Sequence, residues 1–294
     1  ELIKTCEQSQ YRASLYQERS TEDPVRFAGL KPVKATITAQ PQNEKPISDL
    51  LMGIFFEDIN YSADGGLYGE LIQNRDFEYA PSDREGDQNW NSMHSWKLNG
   101  DHAAFSIATS DPIHPNNSNY GVLKIDKPAA ALTNTGFDGI TIKKGERYDF
   151  SLFARLSVGK SNRIVVRLVD GDGAVQAESS ITLSSQKWKK YTATLTARHS
   201  AATHLEVIPQ AAGTIDLDLV SLFPQDTFKG RKNGLRKDLA QTLADMHPRF
   251  VRFPGGCVAH GDGIKNIYRW KNTIGPLEAR KSDRNLWGYH QTMG

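Results

Sequence analysis

The stretch Leu51–Asn74, LMGIFFEDINYSADGGLYGELIQN, decides how the chain is read. It opens on an apolar run, Leu51, Met52, Ile54, Phe55 and Phe56, and turns polar at Glu57, Asp58 and Asn60. A near-continuous apolar run of this length suits a strand buried on both faces, as in a parallel sheet. A carboxylate where such a strand ends points at the carboxyl edge of the sheet, and α/β architectures bind ligands there. Gly65-Gly66 predicts a turn, and LYGELIQN a short helix with Leu67, Leu71 and Asn74 near one face. A core strand followed by a solvated turn remains the alternative, because short apolar runs are ambiguous.

Downstream the chain changes character. Pro81–Asn91 is rich in Asp, Asn, Ser and Gly and reads as a loop. From Trp96 to about Phe223 short strand-like segments, such as YGVLKI, YDFSLFARL, RIVVRLVD and TIDLDLVSLF, alternate with turn signals such as DPIHPNNSN and DGDG. That spacing predicts an all-β sandwich, with a positive-φ hairpin turn at Gly171–Gly173. Leu235, Leu239 and Leu243 then recur at helical spacing, with Asn233 as a cap, and His247-Pro248 ends the helix. Phe250–Phe253 reads as a second strand, closed by Pro254-Gly255-Gly256. Ser282–Gly294 is expected to open another helix. Upstream, Val33, Ala35, Ile37 and Ala39 alternate with polar residues and predict a half-buried strand. The fold class is therefore α/β plus all-β.

Bulk properties narrow the function. The 294 residues are enough for two domains, and 38% hydrophobic with 24% charged residues supports a packed core. A net charge of +2 gives no reason to expect a nucleic-acid partner or an anionic membrane, and no run approaches the length of a membrane span. The first residues, ELIKTCEQSQ, lack the apolar run of a secretory leader. Two cysteines, Cys6 and Cys257, make no disulfide framework, and no metal-ligand spacing is present, so neither a metal nor a cofactor is expected. Gly255-Gly256 has no following Lys-Ser/Thr and reads as tight backbone geometry rather than a phosphate cradle. His260 and His290 read as core or loop residues without zinc spacing. Trp270 reads equally as a cleft residue or as a structural cover on the far side of the fold.

The block GIFFEDIN with GGLYGELIQNRDFE, and the later blocks FVRFPGGC (Phe250–Cys257) and RWKNTIGPLEAR (Arg269–Arg280), resemble glycoside hydrolase family 51, the α-L-arabinofuranosidases. The likeness runs from about Val33 onward. It implies the first two strands of a (β/α)8 TIM barrel, incomplete in this chain, with a jelly-roll β-sandwich inserted in the first loop. GFDGITIKKGERYDFSLFAR and SQKWKKYTATLT are similar to family 4-type carbohydrate-binding modules; Trp96, Tyr148, Phe153, Trp188 and Tyr191 are then either sugar platforms or core. The expected segments are an N-terminal extension (1–32), a β-domain strand with the first barrel unit (33–91), the inserted sandwich (92–224), and the second barrel strand with flanking helices (225–294).

By the same resemblance, Glu57 matches a glutamate that binds the arabinose hydroxyls, Phe55 an apolar wall, and Arg252 an arginine that steadies neighbouring carboxylates. Cys257 falls where many members carry Asn. An ion pair between Glu57 and Arg252 is the structural alternative. A retaining glycosidase needs two carboxyl groups about 5–5.5 Å apart. In the family these are glutamates on later strands, so no catalytic residue is assigned within these residues, and the chain alone is expected to be inactive. The implied activity is release of terminal α-L-arabinofuranose from arabinan or arabinoxylan with retention. An endo-acting glucanase of the same fold and a non-catalytic carbohydrate-binding fragment are the alternatives. The expected partner is an arabinose-containing polysaccharide or oligosaccharide. A homo-oligomer stays open, and a periplasmic or secreted location is favoured over a cytoplasmic one.

Overall fold

The computed structural model describes residues 12–14, 17, 21–81 and 89–291. Cys6, the loop residues 82–88, the last three residues and the His290 side chain lie outside them. The chain forms two compact units, Glu1–Ser48 and Asp49–Gly294. In the first, 21–26 is helical, 27–29 a turn, and 30–40 has no regular structure before a 3-10 turn at Pro41–Asn43. The strand expected over 33–39 does not form: Val33 is 90% and Ile37 96% exposed. Alternation alone makes no strand without a partner to complete its hydrogen bonds.

The second unit begins with β1 (Ile54–Phe55). A sandwich of two antiparallel sheets follows. Its strands are β2 (Trp96–Asn99), β3 (Ala103–Ala108), β4 (Tyr120–Ile125), β5 (Ala131–Asn134), β6 (Ile140–Ile142), β7 (Arg147–Val158), β8 (Asn162–Asp170), β9 (Val175–Leu183), β10 (Lys189–Thr196), β11 (Ala201–Pro209) and β12 (Gly213–Pro224). One sheet runs β10-β7-β12-β4-β3, the other β2-β5-β11-β8-β9 with β6 beside β11. Alternate residues of each strand meet in the core: Tyr148, Phe150, Leu152, Ala154 and Leu156 of β7 are all buried. The expected hairpin turn follows β8, with Gly173 at φ 82° and the Asp170 carboxylate accepting from the amides of Asp172 and Ala174.

The segments entering and leaving the sandwich run side by side. Gly69 N–H donates to the Gly234 carbonyl, Leu71 N–H to Leu222, and Arg236 N–H to Leu67. The helix expected over LYGELIQN is replaced by turns and extended chain. The reason is Glu70, which is 3% exposed. Its carboxylate accepts from the amides of Leu71, Ile72 and Leu222, from the Ser221 hydroxyl, and from Arg75 at 3.2 Å. Burial pushes the Glu70 carboxyl up, against the pull of Arg75. A buried charge so fully partnered fixes the backbone around itself more firmly than a short amphipathic pattern can. Ile72 and Phe77 join the sandwich core, so its packing reaches upstream of residue 92.

After the sandwich come helix α1 (Lys237–Asp245), β13 (Val251–Arg252), helix α2 (Gly256–His260) and a short hairpin, β14 (Asp283–Arg284) with β15 (His290–Gln291). α1 starts later than expected, with Arg236 rather than Asn233 before its first turn. Of its apolar residues, Ala240 is buried while Leu239 is 38% exposed. The helix expected after Ser282 is this hairpin: Asn285 accepts from the Trp287 and Tyr289 amides through its side-chain oxygen, a turn geometry that competes with helix.

Candidate functional site

β1 and β13 pair in parallel, Ile54 opposite Val251 and Phe55 opposite Arg252. The ladder runs on in both directions: Ile54 N–H donates to Phe250, Phe56 to Arg252, and Asp58 to Pro254. Both strands therefore deliver their carboxyl ends to one edge, and Glu57 stands there, partly buried. Its Oε1 accepts from the amides of Cys257 (2.8 Å) and Val258 (3.3 Å), the first free donors of α2. A side chain from a neighbouring strand thus does the work of a helix N-cap. Oε2 has no hydrogen-bond partner among the described residues.

Gly255 makes this approach possible. It sits at φ 122°, and a Cβ there would lie 2.2 Å from Glu57 Cγ. The Arg252 guanidinium lies over the Phe55 ring at 4.7 Å, with no ion pair to Glu57 among the described residues. Phe55 is 53% exposed and Cys257 is an exposed free thiol. All four residues singled out in the sequence therefore share one strand edge. Asp58 and Asn285 were not foreseen. Asp58 is 3% exposed and accepts from the Ala63 amide, while Asn285 donates to the Asp58 carbonyl and ties the β14–β15 hairpin beside β1. Nothing in the spacing of Asn285 signals that contact.

Aromatic rings pack next to the strand pair. Phe56 stacks on Phe253 at 5.7 Å, and Tyr268 meets Phe253 edge-on at 6.0 Å. Burial, with Asp58 adding to it, pushes the Tyr268 phenol above its ordinary range. Trp270, on the 3-10 turn that follows, is 58% exposed. In the sandwich, Trp96, Tyr148 and Tyr191 are buried, whereas Phe153 and Trp188 are partly exposed. Trp188 packs edge-on against Tyr120 and stacks with Arg155 at 4.7 Å. Among the described residues no cluster of His, Cys, Asp and Glu has the geometry of a metal site. No described helix is long and apolar enough to cross a membrane.

The sandwich and the strand edge each have counterparts among known proteins. A profile described as a carbohydrate binding domain matches residues 69–212, and one described as the alpha-L-arabinofuranosidase 1 domain matches residues 242–294. An extracellular exo-alpha-L-arabinofuranosidase of Streptomyces chartreusis is 40% identical over 88% of this chain and 32% of its own length. Alpha-L-arabinofuranosidase 1 of Arabidopsis thaliana is 34% identical over 87% of the chain and 39% of its own length. The solved structure of an arabinose-bound family 51 α-L-arabinofuranosidase superposes with a TM-score of 0.73 at 33% identity, over 83% of this chain and 40% of that one. The chain is thus a relative, over most of its length, of the family 51 α-L-arabinofuranosidases. It spans about a third to two fifths of the length of the relatives it matches.

Proposed function

We propose that β1 and β13 are the first two strands of a (β/α)8 barrel, with the jelly-roll sandwich inserted between them, and that their carboxyl edge holds a terminal α-L-arabinofuranose. The arrangement of Glu57 carries this reading. One carboxylate oxygen is spent on two backbone amides, which fixes the side chain, and the other is left for a sugar hydroxyl. A carboxylate accepts hydroxyl protons only, so a fixed one selects ring orientation. Phe55, steadied by the Arg252 guanidinium, offers an apolar wall, and the Cys257 backbone amide holds the carboxylate.

The reaction is hydrolysis of the glycosidic bond with retention, by two carboxyl groups supplied outside these residues. These residues bind and orient the sugar and leave bond cleavage to that pair. Arabinan or arabinoxylan is the source of the terminal sugar. An extracellular setting agrees with the name of the Streptomyces chartreusis relative.

The test uses a chain of the relatives' full length and p-nitrophenyl α-L-arabinofuranoside. Glu57→Gln is expected to lower kcat/KM by about 10- to 100-fold, the loss of one charge-assisted hydrogen bond. An unchanged kcat/KM removes Glu57 from the site. Preference for carboxymethylcellulose over arabinan would favour an endo-acting glucanase instead.

A further inference from the structure

We propose that the sandwich positions the sugar-site loop: Asn116 and Asn117 hold the segment 268–280, so the module acts on catalysis mechanically and not only as a glycan binder. The inference rests on the site reading above. Asn117 is 2% exposed, and its side-chain amide donates to the Glu278 carbonyl at 3.1 Å. Its neighbour Asn116 donates to the Ala279 carbonyl at 2.8 Å. Each bond joins residues more than 160 positions apart. They link the sandwich to the loop after α2.

Both ends of this link are built for the task. On the sandwich side the donor loop is itself fixed. The Glu78 carboxylate accepts from the Asn119 amide at 2.7 Å and the Ser118 hydroxyl, and Asn119 donates to the Phe77 carbonyl. Phe77 is fully buried in the sandwich core. A rigid path therefore runs from the core to the two donors. On the other side, 268–280 makes chiefly local bonds of its own, such as Thr273 hydroxyl to Trp270 and Arg280 to Gly275. It has two 3-10 turns and no strand or α-helix. Its inner end meets the site through Tyr268 on Phe253. A cavity of about 30 Å³ remains between the two parts, bounded by Arg75 and Leu219 on one side and Tyr268 and Leu277 on the other.

A glycan-binding module and a loop support make different predictions. Glycan capture changes turnover of polymers and leaves a monosaccharide glycoside untouched. Loop support changes the smallest substrate as well, because Trp270 and Tyr268 move relative to the strand edge. Asn116 and Asn117 are positioning residues on this account.

The experiment compares Asn116→Ala/Asn117→Ala and Asn116→Asp/Asn117→Asp with the unaltered protein, in a chain of the relatives' full length. The Asp pair keeps shape but turns both donors into acceptors facing carbonyl oxygens, so its effect should exceed that of the Ala pair. Hydrogen exchange over 268–280 is expected to rise in both, most in the Asp pair, with exchange in the sandwich strands unchanged. KM for p-nitrophenyl α-L-arabinofuranoside should rise about tenfold for two lost hydrogen bonds, more than kcat falls. Unchanged exchange over 268–280 overturns the proposal whatever the activity. Increased exchange with unaltered KM also overturns it. If the unaltered protein neither binds L-arabinose nor cleaves the glycoside, the site reading fails, while the exchange comparison still decides whether the two asparagines hold the loop.

Discussion

The sandwich and the β1–β13 edge are built on opposite terms. In the sandwich, β7 and β12 each run twelve residues and each pairs with a strand on either side. Every stripe of side chains that turns inward finds another, and Phe150, Val166, Leu205 and Leu222 are fully buried. The parallel pair spans two residues on each strand, and Phe55, Val251 and Phe253 are 53%, 59% and 44% exposed. Antiparallel strands joined by short turns complete one another locally, whereas parallel strands depend on segments far apart in sequence. The candidate chemistry sits on the second kind of structure. The Asn116–Asn117 bonds tie the loop 268–280 to the sandwich, and Glu70 ties together the segments that enter and leave it.

Core truncation should show the contrast at its largest. Phe150→Ala is expected to cost about 3–5 kcal/mol, since it removes a fully buried ring from a packed interior. Phe55→Ala should cost under about 1 kcal/mol, because the half-exposed ring gives up little buried area. Denaturant midpoints at constant slope measure both. Equal losses would mean that the strand edge is as tightly packed as the sandwich, and the contrast would fall.

The root between the two regions should come next. Glu70→Gln keeps the volume but presents an amide donor to Arg75 and Ser221, and takes away the carboxylate that pairs with the 2%-exposed Arg75 guanidinium. Breaking such a pair from one side costs about 3 kcal/mol. Beyond the midpoint shift, exchange at the Leu71 and Leu222 amides should rise, since both lie at the junction. A shift below about 0.5 kcal/mol would show that the carboxylate is dispensable there.

How much of this was legible follows from the same contrast. Period-two alternation in YDFSLFARL and RIVVRLVD marked β7 and β8, because both faces of a self-completing sandwich leave that trace. VQAESSITL went unread: β9 has few large apolar residues, and Ala177, Ile181 and Leu183 carry its buried side. LMGIFF and FVRF marked the parallel pair, but the strand expected to be buried on both faces is Ile54–Phe55 alone, with Leu51, Met52 and Phe55 exposed; Glu57, Phe55, Arg252 and Cys257 lie near one another. The helix expected over LYGELIQN failed on tertiary grounds. Glu70 accepts from the Leu222 amide 152 residues away, and a Cβ at Gly69 would lie 2.6 Å from the Gly234 carbonyl. Likewise PNNSN reads as a turn, and no local rule says that its two asparagine amides reach Glu278 and Ala279.

The smallest expected effect is a pH dependence, and it separates two tyrosines, one from each region. Burial, with Glu146 beside it, pushes the Tyr148 phenol up to about 12. Its hydroxyl accepts from the Lys143 amide and donates to Glu146. An unfolded tyrosine titrates near about 10. Because the folded value is the higher one, the stabilisation is complete below about pH 10 and is lost as pH rises towards about 12. Tyr148→Phe has no phenol to titrate. It should be slightly less stable than the unaltered protein at neutral pH, through the lost hydrogen bonds, and the gap should narrow across that alkaline window. Lysine titration affects both proteins alike and cancels in the difference. Tyr268→Phe, at the partly exposed strand edge, should show a shallower narrowing than Tyr148→Phe. A constant gap for Tyr148→Phe from pH 8 to 12 would place its hydroxyl in water and remove the contrast between the buried and the open region at that position.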